Sequence, residues 1–185
     1  MTNLLKSAFF VSFLLITLTS VAQKKLIQVV TTQQIEVSKE EAFELLRNFE
    51  RFPEWSPFIV SDPEQKHHVT GEVGQIGSAF HWEGVAEKSE GKQTLTALTD
   101  NEYLRMECDI TKPFKDQPTF EYQITATATG IEVTQTFELK CSGFSRFMMR
   151  LFGVEKQIAA TNELGLSRLK TLLEDETQLA ASISE

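Results

Sequence analysis

The chain has 185 residues, of which 41% are hydrophobic and 24% are charged, and its formal net charge at pH 7 is −8. Such a length and composition are typical of one globular domain. The negative charge argues against nonspecific binding to nucleic acid or to an anionic membrane surface. We therefore expect a single domain that has no nucleic-acid partner.

The N-terminal segment has the layout of a secretory signal peptide. Lys6 precedes an apolar run at residues 8–18, and small residues occupy positions −3 and −1 of a cleavage site after Ala22. We expect residues 1–22 to be removed and residues 23–185 to form the domain, which would then be periplasmic or secreted. The alternative is an uncleaved membrane anchor, although the apolar run is shorter than the roughly 20 residues that a span needs. Membrane contact is expected only through this segment, and only if it stays attached.

Two cysteines, Cys108 and Cys141, lie in the domain. In an exported protein they could form one disulfide. Both lie in strand-like runs, in which a buried free cysteine behaves as a small hydrophobic residue. We favour free thiols, and the disulfide is the alternative.

The domain begins with a predicted strand, a helix and an aromatic turn. Residues 26–37 are rich in β-branched residues, which favours a strand. Ser38 and Glu41 form a capping-box pattern that predicts the start of a helix, and Pro53 ends it. The segment 49–58 is a turn dense with aromatic residues.

Short runs bounded by turn residues predict the remaining strands. They are residues 58–61, 67–70, 78–83, 92–99, 103–110, 119–127 and 131–141. The last two runs alternate clearly between polar and apolar residues, and this alternation places Tyr122 and Gln135 on the apolar face. A sheet with one apolar and one solvated face is antiparallel by preference and needs a cover.

The C-terminal segment supplies that cover. Residues 153–174 contain no proline, and their large apolar residues fall on one helical stripe. These residues are Ile158, Leu166, Leu169, Leu172 and Leu173. We expect the helix to end near Glu174, where the pattern fades. The hydrophobic stretch 143–153, which precedes it, either lies over a cavity mouth or packs where the sheet meets the helix.

The order of these elements predicts the fold class. One strand, two short helices, several strands and a long C-terminal helix are the order of an α+β helix-grip fold. We expect a curved antiparallel sheet of about six to seven strands that wraps around the C-terminal helix.

Several segments of the sequence also carry a family resemblance. They are FPEWSPF (52–58) with Asp62-Pro63, GQIGSAFHWEG (74–84), EGKQTLTAL (90–98), ITKPF (110–114), GIEVTQTFEL (130–139) and ELGLSRLKTLLE (163–174). In this order and spacing they resemble the polyketide cyclase/dehydrase-like branch of the SRPBCC superfamily, which includes START-type lipid carriers. The resemblance covers about residues 29–174, and it departs from the family pattern at Gln135, where tryptophan is common.

The resemblance implies a deep apolar cavity between sheet and helix that holds a hydrophobic or amphipathic small molecule. It does not imply one reaction, because this fold serves cyclases, carriers and receptors. Among the polar residues, Tyr122 and Gln135 carry the sharper prediction, because a buried hydroxyl or amide needs a partner. We expect the ligand to contact Trp55, Phe80, Trp82, Met106, Tyr122, Gln135, Phe137 and Met148.

The sequence shows no readable catalytic, metal or cofactor motif. Its three histidines lack metal-ligand spacing, and no phosphate loop or dinucleotide fingerprint occurs. His81 and Glu83 share a strand face and could act as a general acid–base pair. The apolar residues Phe80 and Trp82 have the opposite parity, however, which predicts that His81 and Glu83 face solvent.

The function expected from the sequence is therefore noncatalytic binding or carriage of a hydrophobic small molecule or lipid, with no cofactor. One alternative is a polyketide cyclase/dehydratase-like enzyme that holds its substrate in the same cavity and uses Tyr122 as the acid. Another is a partner-binding domain of the cell envelope.

Overall fold

A computed structural model describes residues 25–86 and 88–183. The predicted signal peptide lies outside the described residues. The seven strands are β1 (Lys25–Ile35), β2 (Lys66–Thr70), β3 (Ala79–Glu83), β4 (Glu90–Thr99), β5 (Tyr103–Lys112), β6 (Thr119–Ala126) and β7 (Ile131–Cys141). They form one antiparallel sheet in the order β1-β7-β6-β5-β4-β3-β2.

Helices follow the first strand and the last one. They are α1 (Lys39–Arg47), α2 (Phe52–Trp55), α3 (Pro57–Ser61), α4 (Gly143–Leu151) and α5 (Val154–Ile183). This is the α+β helix-grip architecture that the sequence predicts, although three short helices rather than two follow β1. None of the helices in the described part of the chain is long and apolar enough to span a membrane.

The start of α1 confirms the capping-box prediction. The Ser38 hydroxyl accepts a hydrogen bond from the Glu41 backbone N–H at 3.2 Å, and Glu41 Oε2 accepts from the Ser38 N–H at 2.8 Å. Each partner thus satisfies one of the donors that a helix start leaves free. The hydrogen bonds from Ser38 lower the pKa of the Glu41 carboxyl.

The strand predicted at residues 58–61 is wrong, because this segment forms α3. Pro57 occupies a first-turn position, where its fixed φ suits a helix and its missing N–H costs nothing. The Ser56 hydroxyl accepts a hydrogen bond from the Phe58 N–H at 3.3 Å. Local capping therefore decides this segment over the β-forming character of Ile59 and Val60.

Helix α5 lies on the sheet as predicted but does not end near Glu174. Leu166, Leu169 and Leu173 are buried. Beyond Glu174 the helix is held from outside, since Arg51 pairs with Glu176, and the Thr177 hydroxyl, which bonds to the Leu173 carbonyl at 2.9 Å, also lies 3.3 Å from Glu41 Oε1. These tertiary contacts extend the helix to 30 residues, or about 45 Å at 1.5 Å per residue.

Close approach between α5 and α3 depends on one glycine. A Cβ at Gly165 would lie 3.1 Å from Pro57 Cδ. On the same face of α5, one turn further on, Arg168 donates to the carbonyl oxygens of Trp55 and Glu54 at 3.3 and 2.9 Å. The short helices are therefore fastened to the long one, which holds Trp55 against the core.

Candidate functional site: a cavity between sheet and helix

A cavity of about 380 Å³ lies between the inner face of the sheet and helices α2, α3 and α5. This volume falls in the range of small-molecule sites. Its wall is strongly aromatic. The rings that line it belong to Phe52, Phe58, Phe80, Trp82, Phe120 and Phe137.

The aromatic wall is fixed by ring contacts and by one hydrogen bond. The rings of Phe52 and Phe80 meet edge to face at 5.0 Å between centroids, and those of Phe120 and Phe137 at 5.3 Å. Trp82 Nε1 donates to Ser89 Oγ at 2.9 Å. These packed edge-to-face pairs give the cavity a defined shape rather than an adaptable one.

A smaller chamber of about 20 Å³ continues the cavity toward the core. Gln93, Thr161 and Asn162 line both spaces. Trp55 and Tyr122 line only the smaller one. The chamber is large enough for about one water-sized group.

Amide side chains gather at this inner chamber. Gln135 Nε2 donates to Asn162 Oδ1 at 3.4 Å, and Gln93 Nε2 lies 2.7 Å from Met106 Sδ. Asn162 Nδ2 and Trp55 Nε1 are buried and have no hydrogen-bond partner among the described residues. The inner chamber is therefore bordered by side chains with unsatisfied hydrogen-bond donors.

A buried carboxylate forms part of the cavity wall near the β3–β4 loop. Asp62 is 4% exposed, and its Oδ2 accepts hydrogen bonds from the backbone N–H groups of Val85 and Ala86 at 2.8 and 3.0 Å. This carboxylate fastens the loop to the end of α3. Asp116 is the other charged residue of the wall, and none of the described wall residues is basic.

Two titratable residues of the interior remain protonated at neutral pH. Burial raises the pKa of Tyr122 far above its usual value. Burial also raises the pKa of the Cys108 thiol to about 12. Tyr122 thus offers a neutral hydroxyl to the chamber, and Cys108 contributes an unreactive thiol to the cavity wall.

The structure places the predicted contact residues in three groups. Phe80, Trp82 and Phe137 line the larger cavity, and Trp55, Tyr122 and Gln135 line the inner chamber. The other two line neither space. Met106 is fully buried beneath Gln93, and Met148 lies on α4. Contact with a ligand stays a prediction for the residues that line the two spaces.

The sequence interpretation missed Asn162 and Gln93. A signal for Asn162 was present, since it lies four residues after Ile158 and four before Leu166, on the apolar stripe of α5. A polar residue at such a position must find a partner inside. Gln93 has the same strand parity as Leu95, which is fully buried.

The predicted solvent orientation of His81 and Glu83 agrees with the structure. Neither residue lines the cavity. The His81 ring stacks on that of His68 at 4.6 Å, and its Nε2 lies 2.9 Å from the Thr70 hydroxyl. Burial lowers the pKa of His81. In the described chain no cluster of three or more His, Cys, Asp or Glu side chains could hold a metal ion.

Helix α4 lies between the end of β7 and the first two turns of α5, which line the cavity through Val154 and Ile158. Met149 packs against the core, whereas Phe144 and Phe147 are 75% and 62% exposed. The sequence leaves open whether residues 143–153 lie over a cavity mouth or pack where the sheet meets the helix. In the structure this stretch contains helix α4, which has an apolar outer surface.

Cys108 and Cys141 are both free thiols, and they should differ in reactivity. We expect Cys141, which is only partly buried, to be alkylated by iodoacetamide at pH 8 well before Cys108, because a thiol of pKa about 12 carries almost no thiolate. Peptide mass spectrometry after timed alkylation measures the order. Equal rates would contradict the burial of Cys108.

A seven-stranded antiparallel sheet, a long C-terminal helix and a cavity between them define a START-like, ligand-binding fold of the helix-grip class. Residues 27–174 match the family model described as "Polyketide cyclase / dehydrase and lipid transport". The match covers most of the chain, and the chain belongs to this family. A search of curated proteins found no match.

Solved structures with the same fold have diverged far in sequence. A Staphylococcus aureus protein of unknown function has a TM-score of 0.65 at 14% identity, covering 84% of this chain and 98% of its own. The di-domain ARO/CYC StfQ of the steffimycin pathway has a TM-score of 0.63 at 12% identity. The alignment covers 83% of this chain and 52% of StfQ. A norcoclaurine synthase from Thalictrum flavum has a TM-score of 0.62 at 8% identity. The alignment covers 84% of this chain and 99% of the synthase. At these identities the likeness shows the fold alone.

Proposed function

We propose that the protein binds and carries a hydrophobic small molecule or lipid in its internal cavity. The observation that carries this proposal is the aromatic-lined space of about 380 Å³. Its walls are mostly apolar, and a hydrophobic ligand that covers them removes apolar surface from water, which is favourable by about 25 cal/mol per Å². The space is therefore suited to a hydrophobic ligand.

The family description, which includes lipid transport, supports carriage. The cyclase StfQ and norcoclaurine synthase share the fold, so a cyclase/dehydratase-like enzyme acting in the same cavity is the alternative. The residues of the interior fit carriage of a ligand better than catalysis. The raised pKa of Tyr122 makes this residue a reluctant acid, and one oxygen of Asp62 already accepts two backbone hydrogen bonds.

The third expectation from the sequence, an envelope domain that binds a protein partner, would be favoured by a filled interior together with a large exposed apolar patch. The open cavity favours a small-molecule ligand instead. We further propose that the protein acts in the periplasm or outside the cell, after cleavage near Ala22. The sequence of residues 1–22 supports this location.

Native mass spectrometry of the protein purified from its own host tests the proposed function. We expect a stoichiometric adduct that organic extraction releases as a hydrophobic molecule. The same spectrum reports whether residues 1–22 have been removed. A protein that is empty, and that also fails to bind an apolar fluorescent dye, would overturn the proposal and favour a partner-binding role.

A further inference from the structure

The inner chamber contains donors that lack an acceptor within the described protein. Asn162 is 5% exposed; its Oδ1 accepts a hydrogen bond from Gln135, whereas its Nδ2 has no partner among the described residues. Trp55 Nε1, on a side chain that lines the same chamber, has none either. A buried donor that makes no hydrogen bond loses the bond it made to water in the unfolded chain, which is unfavourable. Two such donors at one chamber leave a place for an acceptor from outside the protein, either a water molecule or an oxygen of a ligand that displaces it.

The size of the chamber limits what this acceptor is. About 20 Å³ accommodates roughly one water-sized group. One carbonyl oxygen fits this space, whereas a phosphate or sulfate group, with several oxygens around a central atom, is too large. The hydrophobic remainder of the ligand would then occupy the larger, aromatic cavity, to which Asn162 and Thr161 also belong.

The charges around both spaces favour a neutral acceptor. None of the described residues that line the cavity or the chamber is Lys, Arg or His. The charged residues of the wall are Asp62 and Asp116, and both are acidic. A carboxylate in the inner chamber would lose hydration without gaining a cation, which is unfavourable. The hydroxyl of Tyr122 and the amides of Asn162 and Gln135 are neutral groups.

We propose that the inner chamber is a subsite for a neutral oxygen acceptor, the carbonyl of a ketone, ester or amide at the leading end of a hydrophobic ligand. Asn162 donates to this oxygen from Nδ2, and Trp55 provides the second donor. Gln135 holds the Asn162 amide in place through its hydrogen bond to Oδ1. The inference rests on the proposed function, ligand binding in the cavity, and specifies the chemical class of the ligand.

Three probes of nearly equal shape test the subsite. They are acetylnaphthalene, isopropenylnaphthalene and naphthoate, each substituted at the same ring position, and their affinities are measured by calorimetry at pH 8. The first carries a neutral acceptor, the second has none, and the third is an anion. We expect acetylnaphthalene to bind about tenfold more tightly than isopropenylnaphthalene, since one added hydrogen bond in a buried site has this order of effect. Naphthoate should bind more weakly than both.

Variants of α5 and β7 then locate the donor. Asn162→Leu keeps the branching and the number of heavy atoms of the side chain but removes the donor, and it should abolish the preference for acetylnaphthalene over isopropenylnaphthalene. Thr161→Val is the matched control, because Thr161 lines both spaces but its hydroxyl already donates to the Gln157 carbonyl at 2.9 Å. The control should keep the preference. If Asn162→Leu fails to fold because Gln135 loses its partner, the double variant Asn162→Leu/Gln135→Leu gives the same test in an apolar chamber.

The possible outcomes separate this inference from the proposed function. Equal binding of all three probes, or an unchanged preference in Asn162→Leu, would overturn the subsite while leaving the cavity a binding site. Tightest binding of naphthoate would overturn the neutral-acceptor assignment. If no probe and no apolar dye binds, both the inference and the proposed function are wrong.

Discussion

Replacing Leu166 by alanine should destabilise the protein by about 2–5 kcal/mol, the range for removing a fully buried leucine side chain. Leu166 is 0% exposed and lies where α5 crosses the sheet. The loss combines the missing transfer free energy with a void that the rigid β-sheet cannot close. Urea denaturation followed by circular dichroism measures the change as a lower transition midpoint at an unchanged slope.

The same helix provides the control for this substitution. Leu164 is 43% exposed, and Leu164→Ala should change stability by no more than about 0.5 kcal/mol. Both substitutions have the same effect on helix propensity, so the difference between them reports burial alone. Equal destabilisation by the two variants would show that α5 does not pack on the sheet through the face containing Leu166.

The elements of this fold that follow from periodicity were predictable. Strand parity placed Tyr122 and Gln135 inside, and helical spacing placed Leu166, Leu169 and Leu173 on the sheet. In each case the period of the secondary structure alone decides which side chains are buried. The capping box at Ser38 was readable because it depends on two residues three positions apart.

The elements decided by tertiary contacts were not predictable in the same way. The C-terminal extension of α5 depends on contacts of Glu176 and Thr177 with residues more than 100 positions earlier. Propensity gives no sign of such pairings. Similarly, Phe58–Ser61 forms a helix because Ser56 and Pro57 cap it, against the strand preference of its own residues.

The candidate site was only partly predictable. A cavity forms between elements that face each other in space, and the pattern of one element does not show which residues of another element lie opposite. The aromatic residues Phe80 and Phe137 were identified from their own strands, whereas the pairing of Gln135 with Asn162 joins a strand to a helix. The family resemblance read from the sequence implies tryptophan at the position of Gln135. An amide here holds Asn162 and leaves room for the inner chamber, which a bulky indole would fill. The departure from the family pattern thus coincides with the most polar part of the cavity.

Replacing Ile158 by tryptophan should abolish ligand binding while the protein stays folded. Ile158 lies on α5, is partly buried and lines the larger cavity, so the indole ring would project into the space that a ligand needs. We expect the affinity for acetylnaphthalene to fall at least about a hundredfold, since a filled site loses most of the apolar burial that drives binding. The thermal midpoint should be unchanged or higher, because the ring buries surface that was exposed to the cavity.

Leu164→Trp is the matched control for this blocking substitution, since it adds the same ring to the same helix at an exposed position outside the cavity. Calorimetric titration of both variants separates steric blocking from a general effect of tryptophan. Loss of binding in Ile158→Trp alone would place the ligand between the sheet and α5. Undiminished binding in Ile158→Trp would mean that hydrophobic molecules bind elsewhere, and the exposed apolar surface of α4 would then be the region to examine. Because the two substitutions differ only in which side of α5 they face, the comparison tests the helix-grip cavity as a binding site independently of the ligand's identity.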